Sequence, residues 1–173
     1  MTAIADSSAL IALVKIGRLA LLRQLYKEVL IPERVHHEVV VEGKRLRKQG
    51  SEEVSAAVKA GWIKTVPLSS RARVRSRAFM ARGGIGQGEA EAIALAESHG
   101  GFIILDDRDA RGLARGLGLE FMGTAAVLLE AQLRGVFGGD EFLESLRDLG
   151  RVMWLAPDVT AELVRRSREV DKP

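Results

Sequence analysis

The chain has 173 residues, of which 47% are hydrophobic and 28% charged, with a net charge of +3 and no cysteine. A domain of this length buries roughly 70% of the surface its unfolded chain exposes, so a substantial core is affordable, and the composition places the chain among folded soluble proteins rather than disordered ones. The lack of cysteine excludes disulfides, thiolate zinc sites and thiol catalysis, and no apolar run approaches the roughly 20 residues of a membrane-spanning helix.

Thr2-Ala3-Ile4-Ala5-Asp6 predicts a first strand over 2–6. Ser7 and Ser8 then offer caps for a helical stretch to about Val14, which Gly17 breaks. Leu19, Leu22, Leu25 and Tyr26 recur at the spacing of a buried helical face. Glu28–Ile31 is a short β-branched run, and Pro32 suits the first turn of a helix through Val35, Val39 and Val40. Lys44–Gly50 reads as an exposed turn or helix end, and Ser51-Glu52-Glu53 as the start of a helix to Ala60.

Trp62–Val66, between Gly61 and Pro67, predicts a third strand. Segment 69–82 is arginine-rich and reads as a helix, although its alternating arginines also permit an extended edge. Gly83–Gly88 is a loop feeding an alanine-rich helix, Glu89–Ser98, that Gly100 and Gly101 stop. Phe102–Leu105 is the clearest buried strand, followed by a helix over Arg108–Leu117, a short strand over Leu119–Met122 and a helix over Thr124–Arg134. Beyond Gly138 an amphipathic helix covers Asp140–Leu149, Val152–Leu155 reads as a short strand, and Pro157–Val170 as a last helix before a charged tail. Strands alternating with helices predict a parallel sheet with helices on both faces. No repeat or composition shift calls for a second domain, so 1–173 is read as one domain whose residues from about 138 form a helical extension.

The informative residues are acids. Asp6 closes one apolar strand and Asp106 another, and residues just past the carboxyl ends of parallel strands line the ligand crevice. Glu38, Glu89, Asp107 and Asp109 occupy early helical turns, where an acid also serves the helix dipole at about 0.3–1 kcal/mol. Several carboxylates gathered together repel unless a cation or protons join them. Oxygen donors without thiolates or paired histidines suit Mg²⁺ or Mn²⁺, and the chemistry such ions serve best is hydrolysis or transfer at phosphorus. Two basic clusters, one of Lys44, Arg45, Arg47 and Lys48 and one of Arg71, Arg73, Arg75, Arg77 and Arg82, are candidates for contact with a phosphate backbone.

In their order and spacing, Ile4-Ala5-Asp6-Ser7-Ser8, Val29-Leu30-Ile31-Pro32 with Val35 and Glu38, Gly88-Glu89-Ala90-Glu91, Ile104-Leu105-Asp106-Asp107-Arg108 and Gly123-Thr124 resemble the PIN-domain nucleases, and within them the VapC-type toxins of prokaryotic toxin–antitoxin pairs. The resemblance implies a PIN-like three-layer α/β/α sandwich with a parallel central sheet. It also implies a metal-dependent endoribonuclease whose catalytic and metal-binding acids are Asp6, Glu38, Glu89 and Asp106. Asp107 is the second choice as the last ligand and Asp109 the third, because many relatives carry a hydroxyl residue where this chain has Asp106 followed at once by Asp107. Glu89 stands where many relatives have aspartate. Ser8 and Thr124 are expected as supporting hydroxyls, and Lys44, Arg45, Arg71, Arg75 and Arg82 as RNA contacts. A Mg²⁺ or Mn²⁺ cofactor, an RNA substrate, an antitoxin protein and a homodimer follow from the same resemblance. The other reading of a PIN-like fold is an inactive RNA-binding or protein-interaction module.

Other signals are weaker. Gly84-Ile85-Gly86-Gln87-Gly88 lacks the Gly-Lys-Ser/Thr ending of a P-loop. His36 and His37 are adjacent and cannot share a helix face, so neither zinc ligation nor a Ser-His-Asp triad has local support. A receiver-type phosphorylation domain would want an acidic pair after the first strand and a lysine after the last, and this chain has neither. Met1–Asp6 has neither the basic start nor the long apolar centre of a secretory signal, so the expected location is the cytoplasm.

Overall fold

Thr2-Ala3-Ile4-Ala5 is almost wholly apolar because β1 (Thr2–Ala5) is the middle strand of a sheet covered on both faces. In the computed structural model, which describes residues 1–170, five parallel strands run in the order β3-β2-β1-β4-β5. The others are β2 (Glu28–Pro32), β3 (Ile63–Val66), β4 (Phe102–Ile104) and β5 (Phe121–Met122). Alternate side chains serve opposite faces. Ala3, Ala5, Val29, Ile31, Phe102 and Ile104 join one apolar cluster, while Ile4, Leu30, Ile103 and Leu105 join the other.

The first face is covered by α1 (Ser7–Lys15), α2 (Ala20–Leu25), α5 (Ser51–Lys59) and α9 (Thr124–Leu133). The second is covered by α6 (Ser70–Met80), α7 (Gln87–His99) and α8 (Arg108–Gly116). The three-layer α/β/α sandwich anticipated from the alternation of elements is therefore present. α10 (Gly139–Val152) and α11 (Pro157–Val170) pack on α9, and their Phe142, Leu146, Leu149 and Leu163 enter the first cluster. The charged tail at 171–173 lies outside the described residues.

Local readings differ from the structure at a few places. Pro32 is not in a helical turn: it ends β2, extended at φ −67° and ψ 160° and registered with Val66, and so precedes the helix it was expected to open. That helix is divided into α3 (Glu33–His36), a π-helical segment His37–Glu42 and α4 (Gly43–Arg45). The arginine-rich segment is helical, because Ser69 caps it through the Ala72 N–H and Ala72, Ser76 and Phe79 turn inward at helical spacing. The strand expected over Val152–Leu155 is absent. α10 continues through Val152, and the extended backbone at Met153 has no ladder partner, although Met153 and Leu155 still pack inward while Trp154 points out. An apolar alternation predicts extended chain, but a strand also needs a free neighbouring edge.

Candidate active site

Strand order 3-2-1-4-5 reverses between β1 and β4, and in open α/β sheets ligands bind outside the carboxyl ends of the strands at such a switch point. Ala5 is registered with Ile104, so Asp6 follows the last paired residue of β1 and Asp106 stands two beyond that of β4. The crossover geometry of the sheet thus sets two acids, a hundred positions apart in sequence, at the same rim.

Asp6 is the N-cap of α1. Its Oδ1 accepts the Ala9 N–H at 2.8 Å and its Oδ2 the Ser8 hydroxyl at 2.8 Å. It is only 1% exposed and has no cationic side chain as a partner among these contacts. Burial pushes its carboxyl up to about 7; the Ala9 N–H and Ser8 hydroxyl oppose this, and the charges of Asp106 and then Glu89 add to it. The charges of Asp106 and Glu89 therefore act on the Asp6 carboxyl in the same direction as its burial, which is the larger cause.

Asp106 is tied down by α9 and α8. Its Oδ2 accepts the Thr124 hydroxyl at 2.5 Å and its Oδ1 the Thr124 N–H at 2.9 Å, with an Arg111 nitrogen 3.4 Å from the same oxygen. Arg111 is itself anchored by donating from Nε to the Leu105 carbonyl at 2.7 Å. The neighbouring Gly123 is required by this packing, since a Cβ there would lie 2.1 Å from the Arg111 guanidinium and 3.0 Å from Asp106 Oδ1. Thr124 is wholly buried at the first turn of α9, so its hydroxyl has one task, to hold Asp106.

Glu38 enters from the π-helical segment on the other side of α1. Its Oε2 accepts the Ser7 hydroxyl at 2.6 Å and its Oε1 pairs with Arg34 Nε at 2.6 Å. A Cβ on Gly88 would stand 3.2 Å from Glu38 Oε2, which seats Glu38 against the amino end of α7. Glu89 lies in the first turn of that helix, with Oε2 against Gly86. Through Ser7, the residue after Asp6, Glu38 is joined to the amino end of α1.

The remaining acids face elsewhere. Asp107 is exposed and is the N-cap of α8, its Oδ1 accepting the Ala110 N–H at 2.8 Å. A second-ligand role for it would have to compete with that cap. Asp109 is exposed too and lies against Gly84 in the loop before α7.

The basic residues predicted for the phosphate backbone are dispersed. Lys44 pairs with Glu52 at 3.1 Å, and Arg75 makes two hydrogen bonds to Glu97 and stacks over Phe79, so both charges already have partners within the chain. Arg45, Arg71 and Arg82 are exposed, and Arg71 lines a groove between α6 and α7. Lys48, from the first basic cluster, lines a cleft of about 590 Å³ with Ser7, Glu38, Glu42 and two cations that the sequence reading did not single out, Lys15 and Arg34. Arg34 has a local signal in its i,i+4 spacing to Glu38, whereas Lys15 is brought to the cleft by the packing of α1 beside the π-helical segment.

A divalent cation is the group this chemistry invites. The donors are hard oxygens, and the like charges around buried Asp6 are the repulsion a cation would relieve, so the donor set fits in kind. Asp6, Glu38 and Asp106 are nevertheless turned into hydrogen bonds of the protein, and among the described residues no three His, Asp or Glu side chains stand close enough together to form a ready cage.

The sequence profile of the PIN domain matches residues 2–169, from β1 to the last turn of α11, while no curated protein matches the chain. With the match covering nearly every residue and a parallel α/β/α sandwich carrying acids at its switch point, the chain belongs to the PIN-domain family.

Proposed function

We propose that this protein is a metal-dependent endoribonuclease, in which Asp6, Glu89 and Asp106 hold Mg²⁺ or Mn²⁺ and Glu38 stands at the edge of the same site. PIN domains are generally nucleases that use divalent metal, and the observation that carries the reading here is the buried, like-charged environment of Asp6 beside Asp106 and Glu89 at the switch point. A divalent ion bound by these oxygens supplies an acidified water and offsets negative charge on a phosphodiester. The chain's own residues do the positioning. Ser8 and the Ala9 N–H fix both oxygens of Asp6, and Thr124 fixes both oxygens of Asp106, so neither carboxylate has to be ordered during reaction. Arg111 balances part of the charge of Asp106, Arg34 is paired with Glu38, and Lys15 and Lys48 give an RNA backbone cations beside that pair.

The sequence resemblance extends this to the toxin of a toxin–antitoxin pair, acting in the cytoplasm as a homodimer and held in check by an antitoxin protein. One observation favours an inactive RNA-binding or protein-interaction module instead: every acid of the site has hydrogen-bond or packing partners within the protein and no cage is closed. Cleavage of single-stranded RNA with added Mg²⁺ or Mn²⁺ decides between the two. The nuclease reading expects turnover by the wild type and its loss in Asp6→Asn and Asp106→Asn; equal background in all three proteins selects the inactive module.

A further inference from the structure

The cleft that contains Asp106 has a second wall formed by the segment between α10 and α11. Asp106, Arg111, Phe121 and Gly123 line one side, and Met153 and Trp154 lie on the other. Trp154 is 80% exposed, although Met153 and Leu155 on either side of it pack into the core. A tryptophan offers some 150–250 Å² for burial, so this indole leaves most of its apolar face to water. The backbone places it there: Met153 is extended at φ −148° and ψ 156°, which turns consecutive side chains to opposite sides, and the inward positions go to its neighbours.

We propose that Trp154 is the stacking platform for one unpaired nucleobase of the RNA strand, beside the acid that holds the reacting end of the site. This inference rests on the nuclease reading for its substrate class, but not on catalysis. The cleft holds about 210 Å³, below the roughly 300–1,000 Å³ of sites for drug-sized ligands. Its exposed indole stands beside small residues, Gly123, Ala125, Ala126 and Ala156, with Phe121, Val159 and Leu163 completing an apolar wall. A partner helix would need a longer groove with anchors spaced along it, whereas a single planar base needs one π-face. Every base has such a face, so stacking binds single strands without selecting sequence. The two charges of the lining offset each other, Arg111 pairing with Asp106, and one exposed cation beside the cleft, Arg115, lies 5.7 Å over the ring of Phe121. A base in a duplex has no free face, so this site reads single-strandedness.

The test is binding in EDTA, where cleavage does not contribute, using the full chain as wild type, Trp154→Ala and Trp154→Phe. Each is titrated with a single-stranded oligoribonucleotide and with the same strand in a duplex. Trp154→Ala should bind the single strand about tenfold more weakly, Trp154→Phe should retain most of the affinity, and duplex binding should be unchanged. Quenching of tryptophan fluorescence by the single strand should vanish in Trp154→Ala, where Trp62 still emits. Because Trp154 is exposed, the variants are expected to fold, and matching unfolding temperatures confirm it. Equal single-strand affinity in wild type and Trp154→Ala overturns this proposal and leaves the nuclease reading, tested by Asp6→Asn, in place. A wild type that cleaves RNA yet shows no quenching does the same, and a wild type that neither binds nor cleaves single-stranded RNA overturns both. Unchanged RNA affinity with loss of a dimer on sedimentation would assign Trp154 to contact with a second copy and overturn the stacking role.

Discussion

Replacing Asp6 by Asn removes a buried charge while keeping an oxygen to accept the Ala9 N–H and an amide that can donate to the Ser8 hydroxyl. In the folded chain the carboxyl is pushed from 3.8 up to about 7, burial being the largest cause and the charges of Asp106 and Glu89 adding to it. The folded state therefore holds this proton more tightly than the unfolded state. The stability that protonated Asp6 contributes is complete below about pH 4 and is lost as pH rises through about 7. Across that window the loss amounts to about 4 kcal/mol, of which about 3 kcal/mol falls between pH 5 and pH 8. Asparagine does not titrate, and every other group is common to both proteins. The stability difference between Asp6→Asn and wild type should therefore move by about 3 kcal/mol in favour of the variant from pH 5 to pH 8, or about 6–12 °C in Tm for a chain of this size. Thermal unfolding followed by circular dichroism in EDTA, at four pH values, measures it. A Tm difference that stays constant across the range refutes the argument, because Asp6 would then titrate like an ordinary aspartate despite its burial.

Three further outcomes are expected. Mn²⁺ should raise the Tm of the wild type at pH 8 by the linkage of binding to folding, about 2.7 kcal/mol at a hundredfold excess over Kd, should do less at pH 5, where protons compete at Asp6, and should do nothing in Asp106→Asn; an equal shift in that variant would place the ion elsewhere. Thr124→Val should destabilise the fold by about 1–3 kcal/mol, since a buried carboxylate oxygen loses its donor, and should lower kcat for RNA cleavage with little change in KM, read from steady-state kinetics and Tm together. Lys15→Ala or Lys48→Ala should each weaken single-stranded RNA binding and reduce its salt slope by about 1, whereas Arg75→Ala, whose cation is already paired with Glu97, should leave RNA affinity unchanged when measured by the same titration.

Much of this was written in local patterns. The apolar runs ending at Asp6 and Asp106, the glycines after each helix and the alternation of elements are short-range signals, and they were enough to predict a parallel α/β/α sandwich with two acids at strand ends. Glu89 was legible for the same reason, at the start of an alanine-rich helix after a glycine loop. Glu38 was named as a candidate through the family resemblance, but not its tether to Ser7 and Arg34 nor the π-helical segment that carries it, which depend on how α1 and α7 seat against that segment. Charge along a chain does not show which cations will meet an acid: Glu97 reaches Arg75 from the adjoining helix, twenty-two positions away.

What the sequence determined by itself is the set of elements and the chemistry available at their ends, because capping, periodicity and strand-forming runs act over a few residues. What only the tertiary structure decided is which ends meet. The order 3-2-1-4-5 sets β1 beside β4, and with that single adjacency Asp6 acquires the fields of Asp106 and Glu89. The same packing gives Thr124 to Asp106, leaves Asp107 as a cap and turns Trp154 outward at the rim. Contacts between residues a hundred positions apart follow from the packing of whole layers, and no local pattern encodes them.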